Sequence, residues 1–527
     1  MKTHVMIVGA GPTGLSLACQ LIRYGIDFVI VDKNEGVTPY SKALGVHART
    51  LEIYEQLGLA EKAVMQGTIA GKVRMIAGGK VRGEVDLSKL GQGLSPYPYM
   101  LVLEQSKNER LLYEYMQAHG KDVNWQTELE SFSQTSEQVT VQVKTASGET
   151  NTIEASYLVG CDGPKSPVRH ALGLSFSGST LERLFYVADV QIDWQFSHDA
   201  LHVCLARNSG IAFFPMPGEN RYRIVGAFPE DFAKDEGEIL YEEIEQRIKA
   251  EAGITLDISR VNWFSTYKVH TRHVEKFSAG RGFLAGDSAH IHTPAGGQGM
   301  NTGIQDAYNL AWKLAFVLRG KADAKLLETY NEERLPNAER LLKTTDRMFN
   351  LVSSPSWLLS FMRTSVVPPL AKHILGLKAV RTRFFPFISQ IGISYRQSSL
   401  SRHGADEGFA VKAGDRMPYF LIDDASIYDR LRESAFHLIV FSDDADQYRG
   451  AIENLQGRYA SLLDCQVIAL SWRILDIFGT DLPFVVLLRP DNHLAFIGPE
   501  AAFDQAAACL SAVMEEGVNQ ARRHTPS

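Results

Sequence analysis

The stretch VMIVGAGPTG, residues 5–14, decides how the fold begins. Its four apolar residues predict a buried strand, and the spacing Gly9-x-Gly11-x-x-Gly14 predicts a tight turn into a helix over Thr13–Tyr24. The apolar run Phe28–Val31 predicts a second strand, which ends at Asp32. A β-α-β unit of about 30 residues with these features is typical of dinucleotide-binding domains.

Each part of this unit has a physical task. The first glycine allows the tight turn, the second lets the backbone approach a pyrophosphate, and the third lets helix and strand pack closely. The helix N-terminus offers unpaired N–H groups to the phosphates, and the acid after the second strand is placed to bind ribose hydroxyls. The predicted cofactor-binding residues of this unit are Gly9, Gly11, Pro12, Thr13, Gly14, Asp32 and Lys33.

A second glycine-rich region follows about 270 residues later, as GDSAH at 286–290 and GGQGMN at 296–301. The apolar run Gly282–Ala285 predicts a core strand before it, and a helix is expected from Asn301 to Leu318. Two such regions suggest a ligand long enough to be gripped at both ends, and FAD is such a ligand. An acid here would hold a ribityl hydroxyl, and the helix N-terminus would stabilise the reduced flavin. The residues assigned to this end are Gly286, Asp287, Gly297, Gly299, Met300 and Asn301.

Composition excludes several other classes. The chain has 527 residues and a net charge of −7, which argues against nucleic acid as a partner. Its five cysteines are scattered singly, so neither a zinc cluster nor a disulfide framework is indicated, and His290-Ile291-His292 lacks a third ligand. The hydrophobic region 357–380 is interrupted by prolines and basic residues, which argues against a membrane span. We expect no metal and a cytoplasmic location.

The chain is long enough for about three domains. The expected fold class is α/β, with a Rossmann-type FAD-binding domain, an inserted substrate-binding β-sheet domain and a C-terminal thioredoxin-like α/β domain. We place the FAD-binding domain at 1–174 and 273–395, the sheet domain at 175–272 and the tail at 408–520. The strands on which the last two assignments rest are Val187–Ile192, Ile211–Pro215, Tyr222–Ala227, Phe436–Phe441, Val467–Leu470 and Phe484–Leu488.

A third motif, Asp162-Gly163-x-x-Ser166-x-x-Arg169, makes the pattern specific. Together with the two glycine regions, it resembles the single-component flavoprotein aromatic hydroxylases, which are built like p-hydroxybenzoate hydroxylase. This resemblance covers roughly residues 3 to 350. The tail segments GDRMP at 414–418 and RPDNH at 489–493 are similar to the thioredoxin-like domain of the phenol hydroxylase branch. The tail has no CxxC pair, so the resemblance does not extend to dithiol chemistry.

The resemblance implies roles for particular residues. Arg49 and Gln105 would contact the FAD, Asp162 and Arg169 would serve FAD and NAD(P)H together, and Pro294 would pack near the flavin. It further implies that NADPH or NADH reduces the FAD and that O2 then gives a C4a-hydroperoxide. An electron-rich aromatic, phenolic or polyketide ring would attack its distal oxygen. A homodimer is a possible assembly.

The substrate pocket is the least determined part. Phe213, Phe214, Pro215 and Met216 are expected to form one wall, with His202, Tyr222 and Arg223 as candidate phenol contacts. The candidate catalytic residues are Pro294, Arg49 and Tyr222. Two other functions remain open on the same fold, namely Baeyer–Villiger or epoxidising oxygen transfer and a non-catalytic flavin-binding module.

Overall fold

The computed structural model describes residues 1–39, 41, 43–205, 210–228, 239–293, 295–353, 356–404 and 408–521. Within these ranges no helix is both long enough and apolar enough to cross a membrane. The elements before residue 175 are β1 (Lys2–Val8), α1 (Pro12–Arg23), β2 (Phe28–Val31), β3 (Gly45–Val46), α2 (Ala48–Glu55), α3 (Ala60–Gln66), β4 (Thr68–Ala70), β5 (Lys72–Ala77), β6 (Lys80–Asp86), α4 (Leu87–Gly91), β7 (Met100–Val102), α5 (Gln105–Ala118), β8 (Glu128–Gln134), β9 (Val139–Lys144), β10 (Thr150–Gly160) and α6 (Pro167–Ala171).

The chain continues through a strand-rich part into a helical one. The strand-rich part contains β11 (Phe176–Trp194), β12 (Ala200–Leu205), β13 (Gly210–Pro215), β14 (Arg221–Ala227), α7 (Tyr241–Ala252), β15 (Leu256–Val274), β16 (Ser278–Ala279), β17 (Gly282–Leu284) and β18 (His290–Ile291). The helical part contains α8 (Gly299–Leu318), α9 (Glu328–Ser353), α10 (Trp357–Phe361), α11 (Val367–Gly376) and α12 (Lys378–Ile388). The last part contains β19 (Arg402–His403), β20 (Leu421–Ile422), β21 (Ala425–Ser426), β22 (Phe436–Phe441), α13 (Arg449–Tyr459), β23 (Leu463–Ile468), α14 (Trp472–Phe478), β24 (Phe484–Leu488), β25 (Leu494–Pro499) and α15 (Phe503–Ala521).

The first sheet has the order β16-β17-β10-β1-β2, and its strands β17, β10, β1 and β2 run parallel. Strand β2 and the end of β1 are buried on both faces, as the continuous apolar runs predict for a parallel sheet. The predicted β-α-β unit is present, and Pro12 occupies the first turn of α1, where its missing N–H costs nothing. The carboxyl ends of four neighbouring strands therefore meet at one edge of the sheet.

The second sheet has the order β18-β15-β11-β14-β13-β12-β5-β6. The three predicted strands are its members β11, β13 and β14. Two further members, β5 and β6, come from residues 72–86, a segment that the sequence pattern placed with the first part of the nucleotide domain. Helix α7 covers one face of this sheet through Ile244 and Ile248. On the other face, Phe214 packs with Ala70 of β4 and with Met100 and Val102 of β7.

The tail forms the third sheet, in the order β19-β25-β24-β22-β23. Strands β22 and β23 are parallel, whereas β24 runs antiparallel to both β22 and β25. With α13 and α14 as connections and α15 following, this is the topology of a thioredoxin-like fold. The predicted strand Val467–Leu470 is displaced, because β23 ends at Ile468 and Ser471 already caps α14.

The tail cysteines do not form a redox centre in this fold. Both Cys465 and Cys509 are free thiols. Burial raises the pKa of Cys465 to about 12 and also raises the pKa of Cys509. Because the thiolate is the reactive form, neither thiol is activated at neutral pH.

A buried ionic cluster joins the tail to α8 and α9. Glu333 accepts hydrogen bonds from Lys313 Nζ at 2.7 Å and from Arg489 Nη1 at 2.5 Å. Arg489 also pairs with Asp491, and all four side chains are 0–1% exposed. Burial would raise the pKa of Glu333, but Arg489 and Lys313 outweigh it and lower that pKa to about 2. The junction is therefore an ionised cluster buried from solvent.

We predict that Arg489→Met destabilises the protein by about 3–5 kcal/mol, because it leaves buried carboxylates without their counter-charge. Urea unfolding followed by tryptophan fluorescence measures the change. The control is Lys343→Ala, which removes a 3.7 Å pair with Glu339 on an exposed helix surface. That variant should change the free energy of unfolding by about 0.5 kcal/mol or less. Equal effects of the two substitutions would contradict a structural role for the junction.

Candidate functional site

The loops that follow the four parallel strands carry the sequence-predicted residues. Gly9 follows β1, Asp32 follows β2, Asp162 follows β10 and Gly286 follows β17. Since these strands are parallel neighbours, the four loops lie along the same edge of the first sheet. Ligands of open α/β sheets bind in the crevice outside this edge.

The three glycines of the first turn differ in what surrounds them. A Cβ on Gly9, whose φ is +103°, would lie 2.4 Å from the carbonyl oxygen of Cys161. A Cβ on Gly14 would lie 1.9 Å from the carbonyl oxygen of Gly9. A Cβ on Gly11 would meet nothing within 4 Å, so the protein itself does not require a glycine there. That open space beside the N-terminus of α1 fits a pyrophosphate.

Asp32 is held in place by its own turn. Its carboxylate accepts hydrogen bonds from the backbone N–H groups of Ala10 at 2.7 Å and Asn34 at 2.8 Å. These bonds tie the end of β2 to the glycine turn and fix the carboxylate, which remains half-buried. The neighbouring Lys33 is exposed. This arrangement suits ribose hydroxyls, which donate to a fixed carboxylate.

Thr13 brings the two glycine-rich regions together. A Cβ on Gly286 would lie 2.5 Å from Thr13 Oγ1, and a Cβ on Gly303 would lie 2.3 Å from the same atom. The first turns of α1 and α8 can therefore approach only because both positions are glycine. Gly286 also has a φ of +66°, which favours glycine on its own account. The sequence pattern identified Gly286 but not Gly303, which sits inside a helix and has no turn to signal it.

Asp306 links three parts of the same region by hydrogen bonds. It accepts hydrogen bonds from Gly286 N at 2.9 Å, His290 Nε2 at 2.7 Å and Arg334 Nε at 2.6 Å. Burial would raise the pKa of Asp306, but the charges of Arg334 and His290 outweigh it and hold the pKa below its usual value. His290 is thus a partner of a carboxylate, and the described residues contain no group of three metal-ligating side chains. Asp306 and this role of Arg334 were missed, because neither lies in a glycine-rich motif.

The N-terminus of α8 is tied down by Asn301. Its Oδ1 accepts from His47 N at 2.9 Å and Thr50 Oγ1 at 2.7 Å, and its Nδ2 donates to the carbonyls of Gly45 and Gly297. The amide group is therefore occupied by protein, which leaves only the Asn301 backbone for a cofactor.

The residues on either side of Asn301 differ in what they can offer a ligand. The side chain of Met300 is engaged by Asn108, whose Nδ2 lies 3.6 Å from the sulfur. Gly297 has a φ of +64° and open space around it, and helix α8 starts at Gly299 without a side-chain cap or an acid in its first turn. Its unpaired N–H groups can receive an anionic or carbonyl group.

Asp162 and Arg169 occupy the loop after β10. Arg169 donates to the carbonyls of Ser288 at 3.0 Å and Pro164 at 2.8 Å, so it joins this loop to the one that carries Asp287. Asp162 accepts from Val168 N at 3.0 Å through one oxygen, while its other oxygen is buried with no partner among the described residues. Burial raises the pKa of Asp162. An unsatisfied buried acceptor costs about 1–3 kcal/mol, so a hydroxyl or amide of a bound cofactor fits this position.

Three expected site residues lie elsewhere or cannot be placed. Arg49 is 3% exposed, pairs with Glu52 at 3.2 Å and donates to the carbonyl of Asp491 at 2.9 Å, so its side chain joins α2 to the tail. Gln105 supports the site indirectly, because it accepts from Ala43 N at 3.0 Å and thereby orders the segment before β3. Pro294 lies outside the described residues.

Tyr222 lies on the face of the second sheet that α7 covers. Strand alternation puts Tyr222 and Phe213 on the face covered by α7, where the tyrosine ring packs 5.0 Å from Trp194. His202 lies on the same face and is fully buried. The two aromatic residues of the expected wall therefore lie on different faces, and Phe214, on the face opposite α7, packs with Leu44 and Met100.

The face opposite α7 carries a row of apolar residues. Val203 is paired with Met75 and Ala212, and Val225 is paired with Ala212 and Val187. Cross-strand partners share a face, so these side chains form one apolar surface. All but Val187 are only partly buried, in contrast with the opposite face. The next row holds Arg223, which makes a bidentate pair with Asp189 at 2.6 and 2.7 Å.

Known proteins share this combination of fold and site. A family model described as FAD binding domain matches residues 2–345. The chain is 34% identical to a flavin-dependent monooxygenase of Mycobacteroides abscessus, over 84% of this chain and 89% of that one. It is 30% identical to 6-methylpretetramide 4-monooxygenase of Streptomyces rimosus, over 97% of this chain and 93% of that one.

A solved structure shows the same fold over the whole chain. The flavin-dependent monooxygenase PieE, in complex with FAD and substrate, has a TM-score of 0.80 at 21% identity and covers 98% of this chain and 99% of its own. The chain belongs to the family of FAD-dependent monooxygenases that includes the aromatic hydroxylases. FAD is accordingly the cofactor of this chain.

We predict that Gly11→Ala leaves the apoprotein folded but weakens FAD binding about tenfold or more, which corresponds to about 1.4 kcal/mol. The added methyl group would enter space that only the cofactor needs. Gly14→Ala is the matched control, because its methyl group meets the Gly9 carbonyl and should lower the melting temperature of the apoprotein. Fluorescence titration with FAD and thermal melting of both apoproteins measure the two effects. Normal FAD affinity in Gly11→Ala would contradict this placement of the pyrophosphate.

We predict that Arg49→Met destabilises the protein by about 1.5–3 kcal/mol, the value of a buried hydrogen bond from a charged group. Anaerobic flavin reduction by NADPH, measured in stopped flow, should change by about twofold or less, since a twofold change is under 0.5 kcal/mol in the barrier. Slow reduction with unchanged stability would restore the catalytic role implied by the family resemblance.

Proposed function

We propose that the protein is an NAD(P)H-dependent FAD monooxygenase that hydroxylates a phenolic or polycyclic aromatic substrate. The observation that carries this proposal is the loop edge of the first sheet, where Gly11 leaves open space and Asp162 has a buried oxygen with no partner among the described residues. The second sheet adds a half-buried apolar row. Bound FAD would accept a hydride from NADPH or NADH and activate O2 for transfer of one oxygen atom. The protein itself must hold the cofactor, orient the substrate and exclude water from the reacting atoms.

The crevice can hold FAD along its whole length. Gly11 and the N-terminus of α1 would bind the pyrophosphate, and Asp32 would bind the ribose. Asp162 has a buried oxygen available for a hydroxyl or amide of the cofactor, and Asp287 follows β17 at the same edge. The N-terminus of α8 would stabilise negative charge on the reduced ring through its dipole and unpaired N–H groups. None of these roles requires a metal.

The substrate would lie between this crevice and the apolar row. Met75, Val203, Ala212 and Val225 offer a surface several strands wide, which suits a flat ring system. Contact with these side chains excludes water from the reacting ring. Arg223 Nη1 is buried with no partner among the described residues and could bind a substrate oxygen, favouring its phenolate form. The relative named 6-methylpretetramide 4-monooxygenase supports a polycyclic substrate.

The test is NAD(P)H oxidation by the purified holoenzyme with a panel of phenols and polycyclic aromatics under labelled O2. The proposal predicts that at least one compound stimulates oxidation and gains one labelled oxygen on its ring. A labelled lactone or epoxide would show Baeyer–Villiger or epoxidising chemistry. Oxidation that no compound stimulates would favour a non-catalytic flavin module.

We predict that Ala212→Trp raises the KM for the stimulating compound about tenfold or more, because the indole fills the space over the apolar row. The FAD content should stay unchanged. The matched control is Val261→Trp, on the same sheet, where the valine is 39% exposed. If both variants had the same KM as the unmodified protein, the apolar row would not be the substrate surface.

A further inference from the structure

Helices α10 and α11, with the turn of π-helix between them, expose an unusual amount of apolar surface. Trp357 is 71% exposed and Leu377 is 60% exposed, and six other large apolar side chains lie between them. We call this set the apolar patch, and it consists of Trp357, Leu358, Phe361, Met362, Val367, Leu370, Ile374 and Leu377. Contiguous exposed patches of this kind mark interaction sites in soluble proteins.

The α11 part of the patch follows helical periodicity, so it forms one side of that helix. Val367, Leu370, Ile374 and Leu377 recur at spacings of three and four residues along α11 and beyond its end. The neighbouring side of α11 is already used, because Ala371 and Leu375 pack against the core around Val85 and Phe385. The four residues of the patch remain 46–60% exposed beside this packed side.

The segment that carries the patch has basic residues and no acidic ones. Residues 347–405 contain no Asp or Glu, although the whole chain has 61 acids and a net charge of −7. Residues 356–390 contain five Lys or Arg, and Lys378 and Arg383 are exposed beside the patch.

The packing of the patch brings further basic and apolar groups to it. Helix α11 packs on β6, where the Pro368 carbonyl would lie 2.1 Å from a Cβ on Gly83, and this contact brings exposed Lys80 and Arg82 to the same region. Lys378 also pairs with Asp476 at 3.1 Å, so α14 with its exposed Trp472 lies next to the patch.

We propose that the apolar patch docks the protein onto an anionic lipid bilayer. Exposed Trp, Phe and Leu side chains would insert at the acyl boundary while the flanking Lys and Arg residues meet the lipid phosphates. A second copy of this chain fits less well, because a two-fold interface would set the same basic border against itself. Docking would place the enzyme where poorly soluble aromatic compounds partition, although the inference does not depend on the proposed reaction.

The test is co-sedimentation of the FAD-loaded full chain with phosphatidylcholine vesicles, either pure or containing phosphatidylglycerol. We expect binding to the anionic vesicles to be about tenfold or more stronger, and to weaken as salt is added. The double variant Leu370→Asp/Ile374→Asp should lose about tenfold or more of this binding. The charge variant Lys80→Glu/Arg383→Glu should lose the preference for anionic lipid.

The matched control is Leu240→Asp, which changes a 65% exposed leucine outside the patch and should bind as the unmodified protein does. Equal FAD content and melting temperature show that each variant is folded. Absence of binding to anionic vesicles would overturn the proposal, as would an equal loss in the Leu240 variant. If the unmodified protein were a dimer and the double variant a monomer, the occupant of the patch would be a second copy of the chain. If the double variant had a raised KM in the absence of vesicles, the apolar patch would instead be a cover over the substrate site.

Discussion

The structure depends on one close approach, in which the first turns of α1 and α8 meet across Thr13. Two glycines, Gly286 and Gly303, leave no room for any other residue at that point. Asp306 stabilises this contact by accepting hydrogen bonds from Gly286, His290 and Arg334. Two helix N-termini that lie far apart in the chain are thereby set along one edge of a parallel sheet. Such an edge can hold a long cofactor. One part of this cofactor would carry phosphates, and the other would carry a ring that gains negative charge.

The nucleotide-binding unit could be predicted from the sequence, because it depends on local backbone constraints. The glycine turn, α1 and the acid after β2 occur within residues 5–32, and the structure has the β-α-β unit where the pattern indicates it. The substrate side was less predictable. Alternation along β13 and β14 sends Phe213 and Tyr222 to one face and Phe214 and Arg223 to the other, and the pattern does not say which face meets the crevice. The contact of Arg49 with the tail could not be predicted, because its carbonyl partner, Asp491, lies 442 residues further along the chain.

The tail contributes to the enzyme by contact. Arg489 and Asp491, from the turn between β24 and β25, reach into the helical layer and complete the charge balance of Glu333 and Lys313. Helix α8 therefore has its N-terminus at the crevice and its middle at this junction. The thioredoxin-like fold supplies a rigid platform for these side chains, and its thiols play no part in that arrangement. We expect the tail to act as a structural support.

We propose that one crevice binds both ends of FAD. Isothermal titration of the apoprotein with FAD, FMN and ADP tests this claim directly, since FMN and ADP each present one end. The account predicts that FAD binds about a hundredfold or more tighter than either fragment, because linking two weak contacts makes the second intramolecular. An affinity for ADP or FMN equal to that for FAD would show that only one end is held and would contradict the account.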